Sequence, residues 1–194
     1  MSSNIVNLRP VSREDIPHIS IWLNDNEICE AWFGRYSYGN PAHLGYDPET
    51  VTNSNDSWKR AFSNPDHQIW SVDIDDGVHI GETHIAIEQS LGDAHFSILI
   101  GRKDLWHKGY GTAATKATLD ICFNQLNLYR VWVDIPIYNE HAISMCTHLG
   151  FIHEGTLRKS RPHEGSRFDS VIMGILNYEY SDKSRSLEYG LHSF

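Results

Sequence analysis

The sequence predicts an α+β fold with a mixed, mainly antiparallel sheet, and three observations predict it. Two turn signals, Asp76-Gly77 and Leu91-Gly92-Asp93, join three alternating apolar segments into a meander. A helical pattern from Tyr110 to Leu126, carrying Ala113, Ala114, Ala117 and Ile121, then leads into a further strand and makes one βαβ unit. A second helical pattern, from Asn139 to Leu149, separates that strand from two closing strands around Gly165.

Along the chain, Ile5 to Leu8 reads as the first strand. Ser12 with Asp15 three residues later resembles a helix start, and Ile16, Ile19 and Trp22 follow at helical spacing as far as Phe33. Gly34 to Asn55 is rich in Tyr, Gly, Pro and Asn, too punctuated for a regular element and long for a connection, which marks it as a functional loop. Asp56 can cap a short helix with Trp58, Ala61 and Phe62. Trp70, Val72 and Ile74 alternate as a strand. In Val78 to Glu88 the alternation puts Ile80, Glu82, His84 and Ala86 on one face and Ile85 and Ile87 on the other. Ala94 to Ile100 and Tyr129 to Ile135 are the next strands.

A chain of 194 residues, 40% hydrophobic, buries one core, so residues 1–180 are expected to form a single domain. The serine- and charge-rich segment 181–194 reads as a polar tail, free or docked across a homodimer. A net charge of −9 argues against a broad nucleic-acid surface and favours the approach of cations. No stretch approaches the roughly 18 apolar residues of a membrane span, and Met1 to Pro10 lacks a signal pattern, so a cytoplasmic protein is expected. Cys29, Cys122 and Cys146 have no disulfide or zinc spacing, and none of the 12 histidines stands in a His-Glu-x-x-His pair, so no metal is expected.

The segment with the most chemistry is Trp106-His107-Lys108-Gly109-Tyr110-Gly111-Thr112, a glycine turn that opens directly into a helix. Glycines permit close approach, and the free N–H groups and positive dipole end of the first turn suit a pyrophosphate. His107 or Lys108 can add charge; alone, the segment also fits a plain tight turn. Gly109-x-Gly111-x-x-Ala114 also matches a dinucleotide fingerprint, with Asp134 standing in for the ribose-binding acid, so a nicotinamide oxidoreductase is an alternative. Its context is wrong: the preceding strands are hairpin-linked, and Ile100 does not run straight into Gly109. No P-loop and no Gly-x-Ser-x-Gly elbow occurs.

Loop, helix and following segment together resemble the acetyl-CoA region of the GNAT superfamily, in particular its RimJ/RimL-type and spermidine acetyltransferase branches. The residues that carry the resemblance are Lys108-Gly109-Tyr110-Gly111-Thr112, Asn139 with Ala142, Leu149-Gly150-Phe151, Glu154-Gly155 with Leu157-Arg158, and the run Asp169 to Gly174. The resemblance implies a GNAT-like sheet with one acetyl-CoA-binding βαβ unit, and acetyl transfer to a primary amine: a polyamine, a protein or peptide terminus, or an amino sugar. It implies that the backbone of Ile98, Leu99 and Ile100 holds the pantetheine arm, that His107 to Thr112 cradle the pyrophosphate, and that Asn139 faces the thiol end; a helix N-cap is an equally good reading of Asn139.

Transfer requires a group to take the ammonium proton and a group to protonate the departing thiolate. Relatives place a tyrosine acid where this chain has Cys146, which could donate a proton but reads better as a small buried helix residue, and Tyr138 and Ser144 are the nearby substitutes. Glu82 is the candidate base, with His84 on its face and His95 at the start of the next strand. Tyr36, Tyr38, His43 and Tyr46 on the long loop, with His84, are the candidate acceptor contacts. Absence of the tyrosine acid leaves a non-catalytic acyl-CoA sensor as a second reading.

Overall fold

The computed structural model describes residues 5–32, 45–163 and 165–181, apart from the side chain of Asp76. Tyr36, Tyr38, His43 and the tail after Ser181 lie outside these residues. In chain order the elements are β1 (Asn7–Pro10), α1 (Ile16–Asn24), α2 (Asn26–Trp32), α3 (Asn55–Phe62), β2 (His67–Ile74), β3 (Val78–Glu88) and β4 (Asp93–Ile100), then α4 (Tyr110–Asp120), β5 (Arg130–Pro136), α5 (Glu140–Leu149), β6 (Ile152–His163) and β7 (Ser166–Leu176). The strands form one sheet in the order β1-β2-β3-β4-β5-β7-β6. Of its pairings only β4 with β5 is parallel, the mixed, mainly antiparallel arrangement expected.

Alternate residues of a strand face opposite sides, and β4 shows how the two cores divide. Leu99 joins Ile16, Ile19, Trp22 and Ile28 of α1 and α2. Ala94 and Phe96 join Leu119 of α4 and Val131 and Val133 of β5. Each large side chain so buried contributes roughly 1.5–3 kcal/mol. Past α4 the helix widens into a π-helical turn over Ile121–Gln125 that buries Cys122 and Phe123.

Three local expectations are corrected and one is extended. The first strand starts at Asn7, and Ile5 is exposed. The cap of α3 is Ser54, which accepts from the Ser57 N–H at 3.0 Å, so Asp56 falls inside the helix. Asp15 accepts from the Ser12 N–H at 2.7 Å just before α1, as the helix start read from Ser12 and Asp15 requires, and it is also buried and takes hydrogen bonds from Arg9 and Ser71. Burial alone would raise its carboxyl, but those bonds hold it well below the usual carboxylate range. Arg9 also reaches Asp73 at 2.6 Å, fastening β1, β2 and α1 together. Finally, Ile80 does not share a face with Glu82. Val72 pairs with Gly81 but Asp73 pairs with His79, a bulge that leaves Ile80 over and turns it toward Val72 and Ala114.

Gly101, just past β4, donates its N–H to Ile80 at 2.9 Å and lies directly beneath Trp22. A Cβ there would stand 1.8 Å from the indole.

Candidate active site

β4 and β5 are bonded only at Asp93–Arg130, Ala94–Val131 and His95–Trp132. Beyond His95 they part, whereas the other edge of β4 stays bonded to β3 as far as Ile100. A parallel pair that opens in this way leaves one edge of Phe96 to Ile100 without a neighbouring strand among the described residues, and an extended chain can add there.

A cavity of about 600 Å³ lies at the opening, within the usual range for a small-molecule or cofactor site. Ile98, Leu99 and Ile100 line it from β4, and His107, Gly109, Gly111 and Thr112 from the glycine turn. Lys108 and Tyr110 do not line it: Lys108 is exposed and Tyr110 packs against the Val72–Ile80–Ala114 cluster, because successive residues of the turn point different ways. Gly109 caps α4 in the left-handed conformation, φ 86°, and no side chain caps the first turn, so its N–H groups are free for an anion. Gly111 is different. A Cβ there would meet Met145 Sδ at 3.6 Å and Ile100 Cγ1 at 3.8 Å, ordinary contacts, so the fold itself does not require a glycine at this position of the cavity lining. The cradle fits a pyrophosphate. A 3₁₀ turn at Lys103–Leu105 separates β4 from the glycines, which is not the direct strand-to-glycine entry of a dinucleotide fold.

The remaining walls come from α5 and α2. Asn139 caps α5, accepting from the Ala142 N–H at 3.1 Å, and its amide donates to the Ala31 carbonyl at 3.1 Å. It therefore lines the cavity while tying the two helices together. Sequence reasoning missed Trp32, Trp106, His141, Met145 and His148, all in the lining. Trp106 donates its indole N–H to the Ile100 carbonyl at 2.7 Å, a contact that no local pattern announces.

Glu82 is fully buried behind Trp32. The Tyr46 hydroxyl donates to its Oε1 at 2.5 Å, and His84 Nε2 meets its Oε2 at 2.9 Å. Burial first, then the Glu82 charge, pushes the Tyr46 hydroxyl well above its usual value, so it remains a donor. Tyr46 and His84 are both buried, so neither is an open acceptor contact as the sequence suggested; they are partners of Glu82. The ring of His84 stands edge-on to Trp32 at 5.2 Å, which puts the carboxylate one side chain from the cavity. On the same face of the sheet, Asp134 pairs with Arg161 at 2.6 Å and His95 packs on Trp132 at 4.4 Å.

The two candidate acids named for α5 and its approach point elsewhere. Cys146 is buried in the core cluster that includes Leu119 of α4 and Phe151, and burial pushes its thiol up to about 12. Tyr138 stacks on His163 at 4.2 Å, and burial followed by the Glu30 charge pushes its hydroxyl up to about 12. Neither lines the cavity; Ser144 does.

Residues 6–152 match the family described as acetyltransferase (GNAT) domain. Spermidine N(1)-acetyltransferase of Escherichia coli K12 is 26% identical over 181 residues, which cover 92% of this chain and 90% of the relative. The enzyme of that name from Vibrio cholerae is also 26% identical, covering 91% and 96%. Among solved structures, the Vibrio cholerae spermidine N-acetyltransferase in complex with CoA and spermine superposes with a TM-score of 0.77 at 21% identity, covering 91% of this chain and 98% of that one. A dodecameric structure of that enzyme gives 0.75 at 21% identity, covering 92% and 98%.

Proposed function

The chain belongs to the GNAT acetyltransferase family, whose domain it matches over most of its length, and from that premise we propose that its acceptor is a polyamine bound on the Glu82 face of the sheet. The protein is an acetyl-CoA-dependent N-acetyltransferase. The observation that carries the cofactor's placement is the gap between β4 and β5, with the α4 cradle at its end.

Bound acetyl-CoA supplies the acetyl thioester. The open edge of Ile98 to Ile100 holds the extended arm as another strand would, and the N–H groups at the start of α4 hold its charged end. Glu82, with His84 sharing its carboxylate, takes the proton that the acceptor ammonium must lose before its nitrogen can attack. Tyr46 holds that carboxylate in place. A C–N bond forms as the C–S bond breaks, and the second proton that the nitrogen sheds balances the one that the leaving thiolate takes up.

The two named relatives, the charge of −9, and the buried carboxyl of Glu82 on that sheet face support a polycationic acceptor. Thiol release with a panel of amines tests it. Spermidine and spermine are expected to exceed amino sugars, aminoglycosides and peptide termini at least tenfold in kcat/KM; a peptide or aminoglycoside that outruns them removes the polyamine and leaves the acetyltransferase standing. The same reading takes residues 1–180 as a single domain and the chain as an oligomer in solution, which light scattering checks. Three cysteines, all buried and none in a disulfide, support a reducing cytoplasm.

A further inference from the structure

His107 is one of three non-glycine residues with positive φ among those described, at 59°, and it sits in the cradle itself. Glycine adopts that conformation without penalty, whereas an L side chain there carries a cost that the surroundings must offset. Its ring packs on that of His141, in the first turn of α5, with centroids 4.2 Å apart and planes at 52°. Both imidazoles line the cavity together with Gly109, Gly111 and Thr112, so two groups able to donate a ring N–H share it with the uncapped start of α4.

We propose that His107 and His141 form a paired imidazole clamp that hydrogen-bonds a phosphate group of the bound cofactor. The inference rests on the cavity being the acetyl-CoA site. It explains why a strained histidine stands in the loop: the side chain supplies a donor that the backbone cradle cannot. The charged groups around the pair are Lys108 on the loop, Glu140 and His148 on α5, and Glu27, which lines the cavity from α2. Two of these are carboxylates that oppose an anion, so the imidazoles and Lys108 must supply the local attraction. A phosphate close to an imidazole favours its protonated form, so binding through the pair is expected to take up protons.

Calorimetry of CoA binding at pH 7.5, in two buffers of different ionisation enthalpy, tests the clamp. The full chain is expected to bind CoA with net proton uptake. His107→Gly, which relieves the backbone, is expected to melt at the same or a higher temperature without ligand yet to bind CoA at least tenfold more weakly. His141→Asn should weaken binding about fivefold, and the double variant should lose the proton uptake. His107→Asn, which tolerates positive φ and keeps an N–H donor, should recover part of the affinity. Dephospho-CoA separates the sources: equal losses with both ligands assign the clamp to the pyrophosphate, and a loss confined to CoA assigns it to the ribose phosphate. A folded His107→Gly or His141→Asn that binds CoA as tightly as the parent overturns the clamp alone. A parent protein that binds no CoA overturns the cofactor reading and the clamp with it.

Discussion

The cofactor wall is drawn largely from one continuous stretch, Ile98 to Thr112, whereas the wall behind Trp32 gathers Tyr46, Glu82 and His84 from distant parts of the chain. The first works through backbone: an open strand edge and the N–H groups of a helix start. The second works through side chains, whose positions depend on which elements pack together. A mutation in the first is expected to alter ligand binding while the fold survives, and one in the second to alter chemistry and stability together.

The sharpest way to break that distinction is Gly111→Val. The site has room for a Cβ when empty, so the variant should fold. The thermal stabilisation by CoA, about 2.7 kcal/mol at a hundredfold excess over Kd for a native-state ligand, should vanish. An unchanged shift in the folded variant would show that the ligand does not approach there. Glu82→Gln comes next. Loss of the proton acceptor should lower kcat about 10²-fold near neutral pH, with the KM for acetyl-CoA within about twofold, read from steady-state kinetics.

Tyr46→Phe removes a donor from a fully buried carboxylate. It should cost about 1–3 kcal/mol in denaturant unfolding and lower kcat as well. A variant that loses stability at full kcat would make Tyr46 a packing residue only.

The smallest effect belongs to His95, whose imidazole burial pushes down to about 4. In the unfolded chain histidine takes a proton near 6.5, so the contribution is fully present above that value and is lost as pH falls from about 6.5 toward 4. The melting temperature of His95→Asn should therefore fall less steeply over this range than that of the parent. Equal slopes would mean that the acid sensitivity arises elsewhere, for instance at His79, which burial also shifts down.

The same contrast governs what could be read from the sequence. The meander, the crossover and the cradle were legible because Asp76-Gly77, Gly92 and Gly109 set local geometry, and the structure keeps each in its expected place. The face of Ile80 was not, because a bulge depends on how two strands meet and no residue of β3 announces it. Glu82 and His84 were picked out together by their shared strand face, but the link to Tyr46 was not, since that contact spans 36 positions. Cys146 was misplaced for a related reason. A motif position gives the residue's distance along α5, while the rotation of that helix against the core decides which side chains see the cavity, and Ser144 and Met145 are among those that do.

Trp22 and Gly101 carry a different lesson, about inheritance. With the indole where a Cβ would stand, any larger residue at 101 collides with the floor of α1, and a smaller residue at 22 opens a hole above the strand that lines the cavity. Neither position can drift alone without loss. Descendants of this chain should keep both residues or exchange both at once, so the two behave under selection as a single two-letter character.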